Sequence, residues 1–414
     1  MNTAEAKVLA SIDREEIITF MRALIQARSD YPPGDTREIA ELCKNKLEEY
    51  GIDTEIVIPP DTVVSPKNDG IDNCTKPSVI GKIQGGPGPT LLLNAHIDTV
   101  PAGDLSQWRH DPFEGVIEDG MIYGRGAGDD KGSVLAQIMA ACAIKKSGIP
   151  LQGTLLINPV ADEEAHSWRG ARWLRDSGIL RPDLAIIGEQ TDNEIAVGER
   201  SICFFNVRIQ GKAAHGALPW AGNNATIHMS RFVMRVNEQL VPELQANRPP
   251  YLPPTTLATT RIKGGSLTNI IPEECVLGID CRMTPNITKE YVKERLEDLL
   301  KELSSEAEQP FEWSVEITNH DIGVYTDAAH PLIQTLLGAL KDVRGEDVEP
   351  TGYYQHSDGS RFAKLGIPIA IFGPGDPKLG HSPNECVSID QLVEASRTLA
   401  VAVMRLMAPE ECDG

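Results

Sequence analysis

The residues of this chain that could perform chemistry are histidines and carboxylates gathered in five short segments. Those segments are 93–100, 124–132, 162–164, 187–191 and 373–385. Four of them follow an apolar run typical of a buried strand, and functional groups gather at the carboxyl ends of strands in open α/β sheets. Their nitrogen and oxygen ligands suit a divalent metal, Zn²⁺ best among the common ones. The pattern therefore predicts a metal site, with two cations about 3.5–4 Å apart if one carboxylate bridges them.

The acidic triplet Asp162-Glu163-Glu164 is the most informative of these segments. Adjacent carboxylates at the end of a buried strand repel one another, and they cost stability unless a cation compensates them. His166 follows the triplet, but the order Glu-Glu-Ala-His is not the H-E-x-x-H zinc motif. We therefore interpret His166 as a loop residue.

Each of the other segments has an ordinary interpretation when it is taken alone. His96 and Asp98 would form a common surface pair, although a carboxylate two residues away can also orient a metal-binding imidazole. The glycine-rich segment before the predicted helix at 131–147 could cradle a phosphate or place Asp129 as a helix cap. Lys131 lacks the spacing of a nucleotide-binding loop, so a nucleotide-dependent activity is disfavoured.

The elements around these segments alternate between strand and helix, which predicts an α/β fold with a mostly parallel sheet flanked by helices. Apolar runs at 90–94, 154–160 and 184–187 are typical of strands buried on both faces. From about residue 195 the order becomes strand, helix, strand, strand, helix, strand, as in a ferredoxin-like α+β unit. The sequence therefore predicts a first domain interrupted by an inserted one. The predicted parts are 1–194 (first domain), 195–320 (insert) and 321–414 (return to the first domain).

The composition excludes some partners. The chain has 414 residues with 39 Lys and Arg against 60 Asp and Glu, a formal net charge of −21. A surface this acidic repels phosphate backbones and anionic lipids, so neither nucleic acid nor membranes are expected as partners. We expect a cytoplasmic protein, because residues 1–16 lack the pattern of a secretory signal and no apolar run is long enough to span a membrane.

Five motifs occur in one order along the chain: H-x-D-x-V at 96–100, G-R-G-x-x-D-D-K-G at 124–132, D-E-E at 162–164, G-E-x-T at 188–191 and H-S-P-N-E at 381–385. Together they resemble the motifs of one family of co-catalytic zinc hydrolases. That family includes acetylornithine deacetylase, succinyl-diaminopimelate desuccinylase, aminoacylase and glutamate carboxypeptidase. The resemblance covers nearly the whole chain, and it implies a zinc-peptidase-like sheet with an inserted lid and dimerisation domain.

The resemblance also implies a role for each residue of the site. The ligands that it implies for two zinc ions are His96, Asp129, Glu164, Glu189 and His381. Asp129 would bridge the two ions, for which Co²⁺ or Mn²⁺ could substitute. Asp98 would orient His96. Glu163 would be the general base, taking a proton from the attacking water and passing it to the leaving amine.

The insert and the substrate loops resemble the family as well. His215, within 211–225, matches a histidine that in relatives reaches the partner subunit's site and stabilises the oxyanion. Arg282 offers a bidentate fork for a substrate carboxylate, or it forms a structural salt bridge with Asp280 or nearby acids. The positions that match substrate-binding residues of the family are Asn269, Arg282, Ser357, Arg361, Gly373 and Gly375.

One position and one short segment depart from the family pattern. Gln190 stands where relatives usually carry proline, which we expect to change the stiffness of the loop and not metal ligation. The segment His166-Ser167-Trp168 stands where small residues are usual, which we expect to change the shape of the acyl pocket.

These observations predict a metal-dependent amidohydrolase that removes an acetyl- or succinyl-type group from an N-acyl amino acid, as a homodimer through the inserted domain. A carboxypeptidase or dipeptidase of the same family is the close alternative, because both reactions hydrolyse an amide next to a carboxylate. A non-catalytic binding protein that kept the fold is disfavoured by the full ligand set and by Glu163.

Overall fold

The computed structural model of the protein describes residues 1–66 and 69–407. Its α-helices are α1 (Thr3–Leu9), α2 (Arg14–Gln26), α3 (Arg37–Glu49), α4 (Lys131–Ser147), α5 (Ala171–Asp176), α6 (Ala225–Arg235), α7 (Val241–Ala246), α8 (Lys289–Glu306), α9 (Pro331–Arg344), α10 (Gly359–Phe362) and α11 (Ile389–Met407). None of the helices in these described ranges is long and apolar enough to cross a membrane.

The strands form two larger sheets and two small ones. They are β1 (Asp53–Val57), β2 (Ser78–Gln84), β3 (Gly86–His96), β4 (Val116–Glu118), β5 (Met121–Tyr123), β6 (Gln152–Val160), β7 (Leu184–Ile187), β8 (Ala196–Glu199), β9 (Ser201–Gln210), β10 (Ala214–His215), β11 (Thr256–Gly264), β12 (Ile270–Ile271), β13 (Glu274–Met283), β14 (Glu312–Asp321), β15 (Val324–Tyr325), β16 (Thr351–Tyr353), β17 (Ile369–Ile371) and β18 (Cys386–Ser388).

Residues 1–198 and the segment from 325 onward form one compact unit around a large mixed sheet. The strand order is β1-β2-β6-β3-β7-β17-β8-β15, with β16 also paired to β8. The central strands β6, β3, β7 and β17 run parallel, whereas β1 and β2, β2 and β6, and β17 and β8 pair antiparallel. The predicted α/β fold with a parallel sheet flanked by helices is confirmed, and the parallel part is the centre of the sheet.

The centre of this sheet is covered on both faces. Leu91, Leu92 and Leu93 of β3 are all fully buried, although successive side chains of a strand point to opposite faces. α4 packs against β3 and against α11, and almost all of its residues are buried. This covering explains why the strand appears in the sequence as a continuous apolar run. It also leaves the carboxyl ends of the strands as the place where polar side chains can meet.

A separate three-stranded antiparallel sheet, formed by β4, β5 and β18, was not evident in the sequence. Its strands have three residues each, which is too short to show a two-residue periodicity. Tyr123 pairs with Cys386 in this sheet. Because these two strands pair, the segment that follows β5 begins next to the point where the segment before β18 ends. Each of these two segments carries a predicted metal ligand.

Residues Glu199–Val324 form the second compact unit. Its antiparallel sheet has the order β11-β13-β9-β14, and α6 and α8 contribute to the apolar core beside it. The order of the long elements is strand, helix, strand, strand, helix, strand. The insert predicted at 195–320 covers most of this unit, and its role as a lid or dimerisation domain stays a prediction.

Candidate metal centre

His96 is the last residue of β3, at the carboxyl end of a central parallel strand, and it is buried. Its Nε2 lies 3.0 Å from Oδ1 of Asp129. Its Nδ1 lies 2.8 Å from the backbone carbonyl oxygen of Asp98. When Nδ1 donates its proton to that carbonyl, Nε2 is left to face the centre of the site, as in a metal-ligating imidazole.

The carboxylate of Asp98 holds the acidic triplet in place. Its Oδ1 accepts a hydrogen bond from the amide of Glu163 at 3.1 Å, and its Oδ2 accepts one from the amide of Glu164 at 3.2 Å. The same Oδ1 is 3.8 Å from Nδ1 of His96. The residue predicted to orient the imidazole therefore does so through its carbonyl, and its carboxylate positions two other candidate functional residues.

Asp129 lies between two imidazoles. Its Oδ1 faces His96, and its Oδ2 lies 3.2 Å from Nε2 of His381. That Nε2 is also 3.1 Å from Oε1 of Glu164. Ligand atoms of His96, Asp129 and Glu164 all lie within 4.8 Å of one another. One carboxylate thus faces an imidazole from each of its oxygens, which is the arrangement expected of a ligand shared by two cations.

Glu189 follows β7 and is buried. Its Oε2 accepts a hydrogen bond from the hydroxyl of Tyr353 at 2.8 Å, and that hydroxyl is also 2.7 Å from Oε1 of Gln355. Tyr353 and Gln355 could not be predicted from the sequence, since neither belongs to a ligand motif. The one available signal was their position just before the segment that carries Ser357.

Buried carboxylates dominate the electrostatics of the site. Burial raises the pKa values of Glu163 and Glu189 well above their ordinary range, and it raises the pKa of Glu164. Burial acts on Asp129 too, but hydrogen bonds from His381 and His96 outweigh it and hold the pKa of Asp129 below its ordinary value. Positive charge stabilises carboxylates so placed, and their oxygens and the two imidazole nitrogens are suitable ligands for divalent cations.

The pKa values of the two histidines are also raised by the carboxylates around them. Hydrogen bonds to Asp129 and Glu164 raise the pKa of His381 to about 10. For His96, burial lowers the pKa, but the contact with Asp129 and the surrounding carboxylates raise it well above its ordinary value. The centre of the site therefore favours cations, and the donor set fits the predicted metal centre.

Besides burial and the charge of His96, the carboxylate of Asp358 raises the pKa of Glu163 and the guanidinium of Arg361 lowers it. The hydroxyl of Ser167 donates a short hydrogen bond to Asp358, and Nε of Arg361 donates to the same hydroxyl at 3.3 Å. Ser167 belongs to the segment that departs from the family pattern. It thus contacts both Asp358 and Arg361, two of the charged groups that act on the candidate general base.

The expectation that Gln190 changes only the stiffness of the loop is wrong. Gln190 is fully buried, and its Nε2 donates a hydrogen bond to Oδ2 of Asp129 at 2.8 Å. The same Nε2 lies 3.3 Å from Oε1 of Gln355. The side chain lies against Gly380, where a Cβ would overlap its amide group. A proline at position 190 could not donate this hydrogen bond. The presence of glutamine at this position therefore changes the contacts of the Asp129 carboxylate as well as the loop.

Gly373 and Gly375 use their amides within the fold. Gly373 donates to Oγ1 of Thr191 at 3.2 Å, and Gly375 donates to Oε1 of Gln391 at 3.2 Å. These bonds connect the segment 373–375 to the loop that follows Glu189 and to α11, and the match of the two glycines to substrate-binding positions stays a prediction. Ser357 is also buried, and its hydroxyl accepts a hydrogen bond from the amide of Gly359 at 3.1 Å.

His215, Asn269 and Arg282 lie in the second unit. His215 is exposed in β10, and its neighbour Gly216 donates a hydrogen bond to the carbonyl of Asn269 at 2.8 Å. Arg282 forms a bidentate ion pair with Asp280 at 2.8 and 3.0 Å. The backbone segments that carry His215 and Asn269 therefore lie side by side. Arg282 forms the salt bridge with Asp280 that the sequence allowed as the alternative to binding a substrate carboxylate.

Peptidase family M20/M25/M40 matches residues 92–405. The chain therefore belongs to this family of hydrolases, in agreement with the resemblance found in its motifs. This confirms the assignment as an enzyme that acts on amide bonds.

Individual proteins are similar over most of the chain. The acetylornithine deacetylase of Myxococcus xanthus is 30% identical over 329 residues, 78% of this chain and 82% of that protein. The N-formyl-4-amino-5-aminomethyl-2-methylpyrimidine deformylase of Bacillus subtilis is 27% identical and covers 93% of each chain. A dinuclear metal-binding peptidase of family M20 from Bacillus subtilis has a TM-score of 0.67 at 19% identity, covering 95% of this chain and 98% of that one.

Proposed function

We propose that this chain is a di-metal amidohydrolase that removes an acetyl- or succinyl-type group from an N-acyl amino acid. The observation that carries the proposal is the position of Asp129, whose two oxygens face His96 and His381 at 3.0 and 3.2 Å. Similarity to a deacetylase and a deformylase supports an acyl substrate. Similarity to a dinuclear metal-binding peptidase supports a pair of cations.

In this proposal five side chains hold the two cations, with Zn²⁺ as the expected metal and Co²⁺ or Mn²⁺ as substitutes. His96 and Glu189 would hold one cation, Glu164 and His381 would hold the other, and Asp129 would contribute to both. Bound cations polarise an amide carbonyl and make water more acidic. The hydroxyl of Tyr353 restrains Glu189, and the amide of Gln190 restrains Asp129.

Glu163 is the proposed general base. Its backbone amide is fixed by Asp98, while the next residue, Glu164, is in contact with His381. A carboxylate held next to the ligands can take a proton from the attacking water and then pass it to the leaving amine.

We expect the purified protein, supplied with Zn²⁺, to hydrolyse N-acetyl or N-succinyl amino acids faster than simple dipeptides. The reason is the similarity to deacylases over most of the chain. The measurement is the initial rate of amine release across N-acetyl, N-succinyl and N-formyl amino acids and a set of dipeptides. Faster cleavage of the dipeptides would favour the carboxypeptidase or dipeptidase alternative.

We also propose a homodimer in which His215 acts in the partner subunit's site. His215→Ala is expected to lower kcat by about 10²–10³-fold, the usual cost of losing an oxyanion donor. Dimers that combine His215→Ala subunits with Glu163→Ala subunits should regain activity, because one of their two sites has both residues intact. The measurement is the rate after mixing and reassembly. Absence of recovery in verified mixed dimers would show that His215 does not act across the interface.

A further inference from the structure

The motif H-S-P-N-E at 381–385 supplies one proposed ligand, His381, and ends in a residue with no assigned role. That residue, Glu385, immediately precedes β18 and is fully buried. A buried carboxylate is costly unless hydrogen bonds or positive charge compensate it. The donors that compensate Glu385 come from the segment that carries Asp129.

Each carboxylate oxygen of Glu385 accepts two hydrogen bonds. Oε1 accepts from the amides of Gly128 and Asp129, each at 2.9 Å. Oε2 accepts from the amide of Gly126 at 3.0 Å and from Nη1 of Arg125 at 2.6 Å. Three of the four donors are backbone amides, so the carboxylate fixes the path of the chain up to and including Asp129.

Arg125 extends the connection back to the segment of His381. Its guanidinium is buried, and its Nη2 lies 3.3 Å from the carbonyl oxygen of Ser382. The backbones of the two segments are also bonded to each other next to the β5–β18 pair, where the amide of Gly124 donates a hydrogen bond to the carbonyl of Glu385 at 3.0 Å. The segments that present Asp129 and His381 are therefore joined by side-chain and backbone bonds.

We propose that Glu385 is a positioning residue that sets the carboxylate of Asp129 relative to the imidazole of His381. This inference rests on the proposed function, since it concerns the ligand shared by both cations. Glutamate is required because all four groups facing it are donors. A glutamine would place its own NH₂ group against two of those donors and would leave the guanidinium of Arg125 without a charged partner.

The test is Zn²⁺ affinity, measured by competition with a chromophoric chelator on wild type, Glu385→Gln and Glu385→Asp. Loss of a residue that positions a metal ligand typically costs about 10–100-fold in affinity. We expect a loss of this size for the cation bound by Asp129, Glu164 and His381. Glu385→Asp keeps the charge but shortens the reach to the Gly128 and Asp129 amides, so we expect a smaller loss in the same direction. The absorption spectrum of the Co²⁺ form should change in both variants.

Glu5→Gln is the matched control, because Glu5 is another buried glutamate, paired with Arg405 at 2.7 and 3.2 Å. It should lower the melting temperature without changing Zn²⁺ affinity or the Co²⁺ spectrum. The inference is overturned if the Glu385 variants change only the melting temperature, as the control does. A wild-type protein that binds no second cation would instead contradict the proposed function, so the two failures are distinguishable.

Discussion

Glu163→Ala is expected to lower kcat by about 10²–10⁴-fold while the bound metal stays at the wild-type level. The carboxylate is proposed to move a proton twice, from the attacking water and to the leaving amine, and alanine can do neither. The backbone amide that Asp98 fixes remains in the variant, so Glu164 should keep its position. The measurements are kcat on the best N-acyl substrate and metal per chain by elemental analysis.

Glu163→Gln is the conservative partner of that variant. It keeps the volume and polarity of the side chain but cannot act as a base, so it should be impaired to a similar extent. A strong fall in metal content with the fall in rate would identify Glu163 as a ligand. Retention of most of the activity in either variant would contradict the general-base assignment.

Asp129→Ala is expected to lose at least one cation per chain and about 10³-fold or more in kcat, since charge stabilisation by metal is worth several kcal/mol. Asp129 faces both His96 and His381, so its removal affects the ligand sets of both cations. Elemental analysis after gel filtration and steady-state kinetics measure the two effects.

The control for this variant is Asp183→Ala. Asp183 lies just before β7, at the amino end of a strand of the same sheet. Its carboxylate accepts a hydrogen bond from the amide of Thr90 at 2.7 Å. Its removal should leave metal content and kcat unchanged. Wild-type metal content and rate in Asp129→Ala would contradict the shared-ligand role.

The parts of the fold that could be predicted from the sequence are those with long, regular patterns. The apolar runs that became β3, β6 and β7 predicted the centre of the sheet, and the residues after them predicted where His96 and Glu189 would lie. These signals are local, because each depends only on a strand and the few residues that follow it.

The remaining contacts depend on residues far apart in the chain. Arg125 and Glu385 meet because two three-residue strands pair, and such short strands have no recognisable period. Tyr353 reaches Glu189 from a segment without a ligand motif. Gln190 contacts Asp129 through one particular side-chain conformation, and a family comparison at that position indicated only a change in backbone stiffness.

We propose that amide hydrolysis by this chain requires cations bound at the Asp129 site. The most direct measurement strips the protein with a chelator, returns Zn²⁺ in steps, and records metal per chain and rate on one N-acyl amino acid at each step. We expect no activity in the stripped protein and a rate that rises until two cations are bound per chain. Full activity after exhaustive chelation would contradict the requirement for bound metal.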